Sequence, residues 1–127
     1  MRVLRHARRL TKPGGLFVDL TTVPPAAVVE LRDEPIGSLD QVSFLERAAQ
    51  TEAAVDLLID EGLVVEEASL QHSVLKHFDS GRELVADVAA RSVTRMPAEL
   101  RETIELIATP IVERSFCLIR RLRVLPG

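Results

Sequence analysis

Lys12-Pro13-Gly14-Gly15 is the stretch that most restricts what this chain can become. Proline cannot continue a helix, and glycine takes the left-handed backbone that lets a chain reverse. Whatever precedes the turn must therefore end there. Before it, Val3, Leu4, Ala7 and Leu10 recur at helical spacing, with Arg2, Arg5, Arg8, Arg9 and Lys12 on the other faces. Arg8, Arg9 and Lys12 fall in the last turn, where cations suit the negative end of the helix dipole. After it comes Leu16-Phe17-Val18-Asp19-Leu20-Thr21-Thr22-Val23, rich in strand formers and closed by Pro24-Pro25. This run predicts a strand largely buried on both faces. The opening therefore reads as helix, glycine turn and strand, half of an α/β unit.

Bulk properties narrow the function classes. A length of 127 residues is one domain or part of one. Only 3% of residues are aromatic, with no Trp or Tyr. That argues against the stacking platforms of single-stranded nucleic-acid binding. A net charge of −3 gives no overall attraction to nucleic acid or acidic membranes. The basic cluster at the start has no helix-turn-helix companion, so it reads as a solvated helix face. The single cysteine, Cys117, allows no internal disulfide and fits a reducing, cytoplasmic setting. It lacks a neighbouring His or CxxC partner, so it reads as a core residue. No apolar run approaches the roughly 20 residues of a membrane span, and residues 2–10 lack the apolar region of a signal peptide. His6, His72 and His77 do not converge at metal-ligand spacing.

Along the chain, Pro24, Pro25, Pro35 and Gly37 punctuate a long connection, with a turn expected over residues 33–37. Residues 26–31 suit either a short strand or a helical turn. A helix is predicted over residues 41–61, on the stripe Phe44, Ala48, Thr51, Val55 and Leu58, with Gly62 ending it. Ser43 with Glu46, or Ser38 with Gln41, has capping-box spacing. Residues 63–78 alternate like a strand, with a break expected near residues 67–71 because of the length. Ser80 and Glu83 cap a further helix, and Met96-Pro97 starts another that Pro110 ends. Residues 112–124 alternate again, with Phe116, Leu118, Leu122 and Val124 on one parity. They read as a terminal strand with one buried face, suited to antiparallel pairing with residues 63–78.

This order resembles the second half of class I S-adenosylmethionine-dependent methyltransferases. Leu10-Thr11-Lys12-Pro13-Gly14-Gly15 looks like the family's turn into its fifth strand. Residues 62–68, Gly-Leu-Val-Val-Glu-Glu-Ala, are similar to the passage into its sixth. Phe78-Asp79-Ser80 resembles the lead into a helical insertion found in a bacterial subgroup. The resemblance implies an α/β fold, a partial Rossmann-like sheet. Its three strands would correspond to the fifth, sixth and seventh, with the seventh antiparallel between the other two and with flanking helices.

The resemblance also marks what is missing. The family holds its cofactor with a glycine-rich loop, and the six glycines here form no Gly-x-Gly. The chain by itself is therefore expected to hold no cofactor and to be inactive. S-adenosylmethionine would bind only with an N-terminal half, and the uncapped helix at Met1 reads as a start in mid-fold. The strand over residues 16–23 would then have an open edge, to be met by that half or by a second copy of the chain. Two functions follow. The chain contributes the substrate-side part of a methyltransferase acting on a small-molecule acceptor, or it is a non-catalytic, homo-oligomerising module. Asp19, Thr21 and Thr22, toward the carboxyl end of that strand, are the candidate pocket rim, because open α/β sheets place ligand crevices there. No acid/base pair or nucleophile constellation points to another enzyme class.

Overall fold

A computed structural model describes residues 13–126. Their elements are β1 (Leu16–Thr22), β2 (Val28–Leu31), β3 (Glu34–Ser38), α1 (Val42–Asp60), β4 (Val64–Phe78), α2 (Gly81–Ala89), α3 (Ala98–Glu105) and β5 (Ile111–Val124). The class is α/β, an open five-stranded antiparallel sheet with three helices. The basic helix expected over residues 2–12 lies outside the described residues.

Three strands pair with β5. β1 runs antiparallel to it from Leu16↔Arg123 to Thr22↔Cys117. β2 runs antiparallel to it from Val28↔Arg114 to Glu30↔Val112. β4 pairs with it too. Arg114 bonds Ser73 at 2.8 Å, Arg120 meets Glu66 at 3.1 Å, and Leu125 N–H donates to the Leu63 carbonyl at 3.0 Å. Numbers rise along β5 as they fall along β4, so this pair is antiparallel, as the alternating patterns predict.

The chain forms two compact units: residues 13–23, 47–72 and 117–126, and residues 24–46 and 73–116. The first has a core of Val55, Leu58, Val64, Leu122 and Val124, with Phe17, Ile59 and Leu63 packed against it. The second buries Ala27, Val29, Leu39, Phe78, Leu84, Val88, Leu100, Ile104 and Ile111.

Several local expectations change. β4 is unbroken over its 15 residues, because each unit uses a different part of it. β5 does not bury one parity throughout. Ile111, Glu113 and Cys117 are buried in its first half, and Leu122 and Val124 in its second. Residues 34–38 form strand β3 rather than a turn. The reversal lies at Arg32 and Asp33, both at positive φ (52° and 66°) as a two-residue hairpin requires. Pro35 is tolerated because β3 pairs on one edge only, beside a register shift at Val29/Glu30. β1 is not buried on both faces. Asp19 and Thr21 are buried, whereas Leu16, Val18 and Leu20 are 47%, 64% and 64% exposed.

The helix ends follow the sequence more closely. Gly62 (φ 74°) closes α1 with Gly62 N–H on the Ile59 carbonyl and Leu63 N–H on the Leu58 carbonyl, both at 3.0 Å. At the other end Asp40, not Ser38 or Ser43, accepts the Val42 N–H at 3.2 Å. Ser80 caps α2 by accepting the Glu83 N–H, and the Glu83 carboxylate returns to the Asp79 N–H at 2.9 Å.

In the second unit, helix contact depends on two absent side chains. A Cβ on Gly37 would stand 2.5 Å from Leu100 Cδ1, and one on Gly81 would run into the Ile104 carbonyl. Gly81 N–H also donates to the Ile107 carbonyl at 2.9 Å. Backbone cannot yield as a side chain can, so Gly81→Ala is expected to cost about 3 kcal/mol, against less than about 1 kcal/mol for Ala86→Gly on the exposed side of α2. Urea unfolding checks both values.

Candidate functional site

The second unit contains the cleft. Leu84 and Val88 turn α2 toward the core, which leaves Val85 and Ala89 beside the segment that follows. That segment, residues 91–97, is held at two points. Asp40 and Arg95 exchange backbone hydrogen bonds of 2.7 and 2.9 Å. Gln41 accepts the Ala27 N–H at 2.7 Å and donates to Thr94 Oγ1 at 3.4 Å. Between α2, this segment and α3 lies an open cleft of about 400 Å³, walled by Val85, Val88, Ala89 and Met96 and by Arg91, Arg95 and Arg101. A second hollow of about 530 Å³ adjoins it through Val85, Ala89 and Arg101, and adds Arg82 and Leu106. The first volume lies near the lower end of the roughly 300–1,000 Å³ that small-molecule sites occupy.

The arginines in this cleft are not equivalent. Arg91 forms a two-pronged pair with Glu113, at 2.7 and 2.6 Å, and also bonds Asp87. The Glu113 side chain is only 7% exposed, so this is a nearly buried pair. Glu113 first, and Asp87 after it, hold the Arg91 guanidinium well above its ordinary basicity. Arg91, with Lys76 at 3.1 Å, in turn holds Asp87 below the usual carboxylate range. Arg101 reaches Glu105 one turn on at 2.9 Å. Arg95 is exposed, and its guanidinium has no ion pair or hydrogen bond among the described residues. The cleft thus has one locked cation, one half-neutralised cation and one free cation.

The residues singled out in the sequence lie in the first unit. Thr21 Oγ1 donates to Asp19 Oδ2 at 3.0 Å, and both side chains are buried. Asp19 stands opposite Arg120 in the β1–β5 register. Arg120 also meets Asp56 at 2.9 Å, Glu66 at 3.1 Å and Glu52 at 3.8 Å. Three carboxylates therefore lie within 3.8 Å of one guanidinium, with Asp19 opposite it in the register, and Glu52 Oε1 is buried without a hydrogen-bond partner. Burial raises the Glu52 carboxyl above its ordinary value, against the pull of Arg120 and with the push of Asp56, Asp19 and Glu66. Thr22 is half-buried opposite Cys117. Asp19 and Thr21 are brought together, but neither lines the cleft described above. Among the described residues no group of His, Cys, Asp and Glu is placed to hold a metal ion, and no helix is long and apolar enough to cross a membrane.

The cleft itself was missed from the sequence. It depends on the close approach of α2 and α3 at Gly81, for which periodicity carries no signal. One sign was available: Glu113 sits between Ile111 and Cys117 on the parity that turns inward, so it needs a cationic partner. Comparison with protein-family models, curated proteins and solved structures finds no match to this chain.

The two arginines make a direct contrast. Arg91→Met leaves Glu113 charged and buried, and is expected to cost about 3 kcal/mol. Arg95→Met breaks no bond and is expected to cost under about 0.5 kcal/mol. Denaturant unfolding of both variants measures the difference. Glu52 gives a pH test. Its folded form holds the proton more tightly than the unfolded chain does, so its contribution to stability falls as pH rises from 4.5 upward. Glu52→Gln removes that loss. Its melting temperature relative to the parent protein is expected to rise between pH 4 and pH 7, and an unchanging difference would refute the raised carboxyl.

Proposed function

We propose that this chain is the C-terminal portion of an S-adenosylmethionine-dependent methyltransferase-like protein, and that it is inactive alone. It would supply the substrate-side part of the fold, and a separate or preceding half would hold the cofactor. The observation that carries this reading is the position of β5. It pairs antiparallel with β1 and with β4, and Lys12-Pro13-Gly14-Gly15 leads into β1. That is the relation of the family's seventh strand to its fifth and sixth, on the partial Rossmann-like sheet that the resemblance implies. The hairpin of β2 and β3 is an addition to that pattern.

The exposed side of β1 supports the same reading. Leu16, Val18 and Leu20 share a face with Arg123, Arg121 and Ile119 of β5. Among the described residues, no helix of the first unit covers the three apolar side chains and β1 pairs on one edge only. A doubly wound sheet covers both faces and continues past its fifth strand. An N-terminal half would do both. At the rim, Thr22 is the residue left available, because Asp19 and Thr21 bond each other. The methyl acceptor would be a small molecule.

The same face favours a second reading, a non-catalytic module that oligomerises through β1. The genomic sequence upstream of the Met1 codon separates the two. An in-frame Asp/Glu-x-Gly-x-Gly-x-Gly loop supports the enzyme portion, and the joined protein is expected to bind S-adenosylmethionine in calorimetry when the present chain does not. A nearby stop codon with no front half encoded beside it rejects the enzyme portion. Sedimentation tests the module: a strict monomer at high micromolar concentration rejects self-association through β1.

A further inference from the structure

We propose that the cleft between α2 and α3 binds a small amphipathic carboxylate, with its anionic head on Arg95 and its apolar body along Val85, Ala89 and Met96. The proposal rests on the geometry of the second unit alone and stands whether or not the chain completes a methyltransferase.

The cation is the first argument. Arg95 carries a guanidinium with no partner among the described residues, beside a cavity of about 400 Å³. Guanidinium groups are planar donors matched to carboxylate and phosphate oxygens. The backbone beneath Arg95 is fixed by its two hydrogen bonds to Asp40, and Thr94 beside it is held by Gln41. The site is therefore framed before a ligand arrives, which lowers the ordering cost of binding.

Charge selects the class of ligand. The chain carries a net charge of −3, yet the residues lining the two hollows include Arg82, Arg91, Arg95 and Arg101 against Glu105 alone. Arg91 is neutralised by Glu113 and Asp87, and Arg101 is offset by Glu105. One full positive charge remains at the cleft, on Arg95, and Arg82 lines the adjoining hollow. A single free cation beside an apolar wall matches a monoanion with a hydrocarbon body better than a compact dianion such as phosphate. A bare cation would meet an excess of like charge there.

Titration of the isotope-labelled chain with octanoate, followed through backbone amide resonances, tests this. Octanoate is expected to shift Val85, Ala89, Arg95 and Met96 saturably, and octylammonium and inorganic phosphate to leave them in place. Arg95→Gln is expected to weaken octanoate binding about fivefold, the scale of one exposed charge contact. Ala89→Glu, which sets a carboxylate in the cleft, is expected to abolish it. Both positions are exposed and neither side chain makes a structural bond, so an unchanged melting temperature will certify the fold. The proposal is overturned if octanoate leaves those four amides unmoved. Equal shifts from octylammonium, the same shifts from inorganic phosphate, or unchanged affinity in Arg95→Gln would overturn it as well.

Discussion

The fold depends on one strand having to satisfy two cores. β5 buries Ile111, Glu113 and Cys117 in its first half, then Leu122 and Val124 in its second. Ile111 joins the core with α2 and α3, and Leu122 and Val124 join the core with α1. A strand's side chains alternate strictly, so such a change can occur only where burial passes from one core to the other. Residues 118–121 separate the last buried odd position, Cys117, from the first buried even one, Leu122, and none of them is fully buried. The pairing follows the same division. β2 pairs with the first half of β5 and β1 with the second. A deletion of one residue within 118–121 would put one core's residues out of register whichever half stayed in place.

This is also where sequence reading succeeds and fails. Elements fixed by local chemistry were legible. Gly62 ends α1 because it alone takes the left-handed turn cheaply, and Ser80 with Glu83 starts α2 because its free N–H groups need acceptors. The antiparallel pairing of β4 with β5 followed from two alternating runs of similar length. What depends on distant partners was not legible. A single parity was assigned to β5 because alternation carries no mark of which core it serves. A break was expected in β4 because its length exceeds what one unit needs. The segment at residues 33–37 looked like a turn because of Pro35 and Gly37, but the pairing of β3 with β2 accommodates the proline at a bulge. The glycine leaves the space that the Leu100 side chain occupies.

Charge is handled differently in the two units. In the second, Glu113 and Arg91 satisfy each other almost completely, with two short bonds and Asp87 as an additional acceptor. A buried pair of this geometry contributes little net stability but is costly to break from one side. It fixes the end of α2 against β5, and so sets one wall of the cleft. In the first unit Arg120 faces Asp19, Glu52, Asp56 and Glu66, and two of its nitrogens remain buried without a hydrogen bond. The Nε contact with Glu66 is an ion pair at 3.1 Å without hydrogen-bond alignment. Burial is the main cause that raises Glu52, and Asp56, Asp19 and Glu66 add to it against the pull of Arg120. The candidate rim residues Asp19 and Thr21 bond each other beside this cluster, which accounts for their burial.

β1 remains inverted relative to what its sequence led one to expect. Its polar residues Asp19 and Thr21 turn inward, and its apolar residues Leu16, Val18 and Leu20 turn out. The inward face is dictated by Phe17, which joins the core with Leu122, and by the register that sets Asp19 opposite Arg120. With that register fixed, alternation forces the other three residues to the outer face. Covering three such side chains is worth on the order of 2–5 kcal/mol before association costs. That is enough to favour a partner already tethered in the same polypeptide, and little for a partner that must be recruited from dilute solution. The energetics of this face therefore favour the reading in which a preceding half of the same chain covers β1 over the reading in which a second copy does.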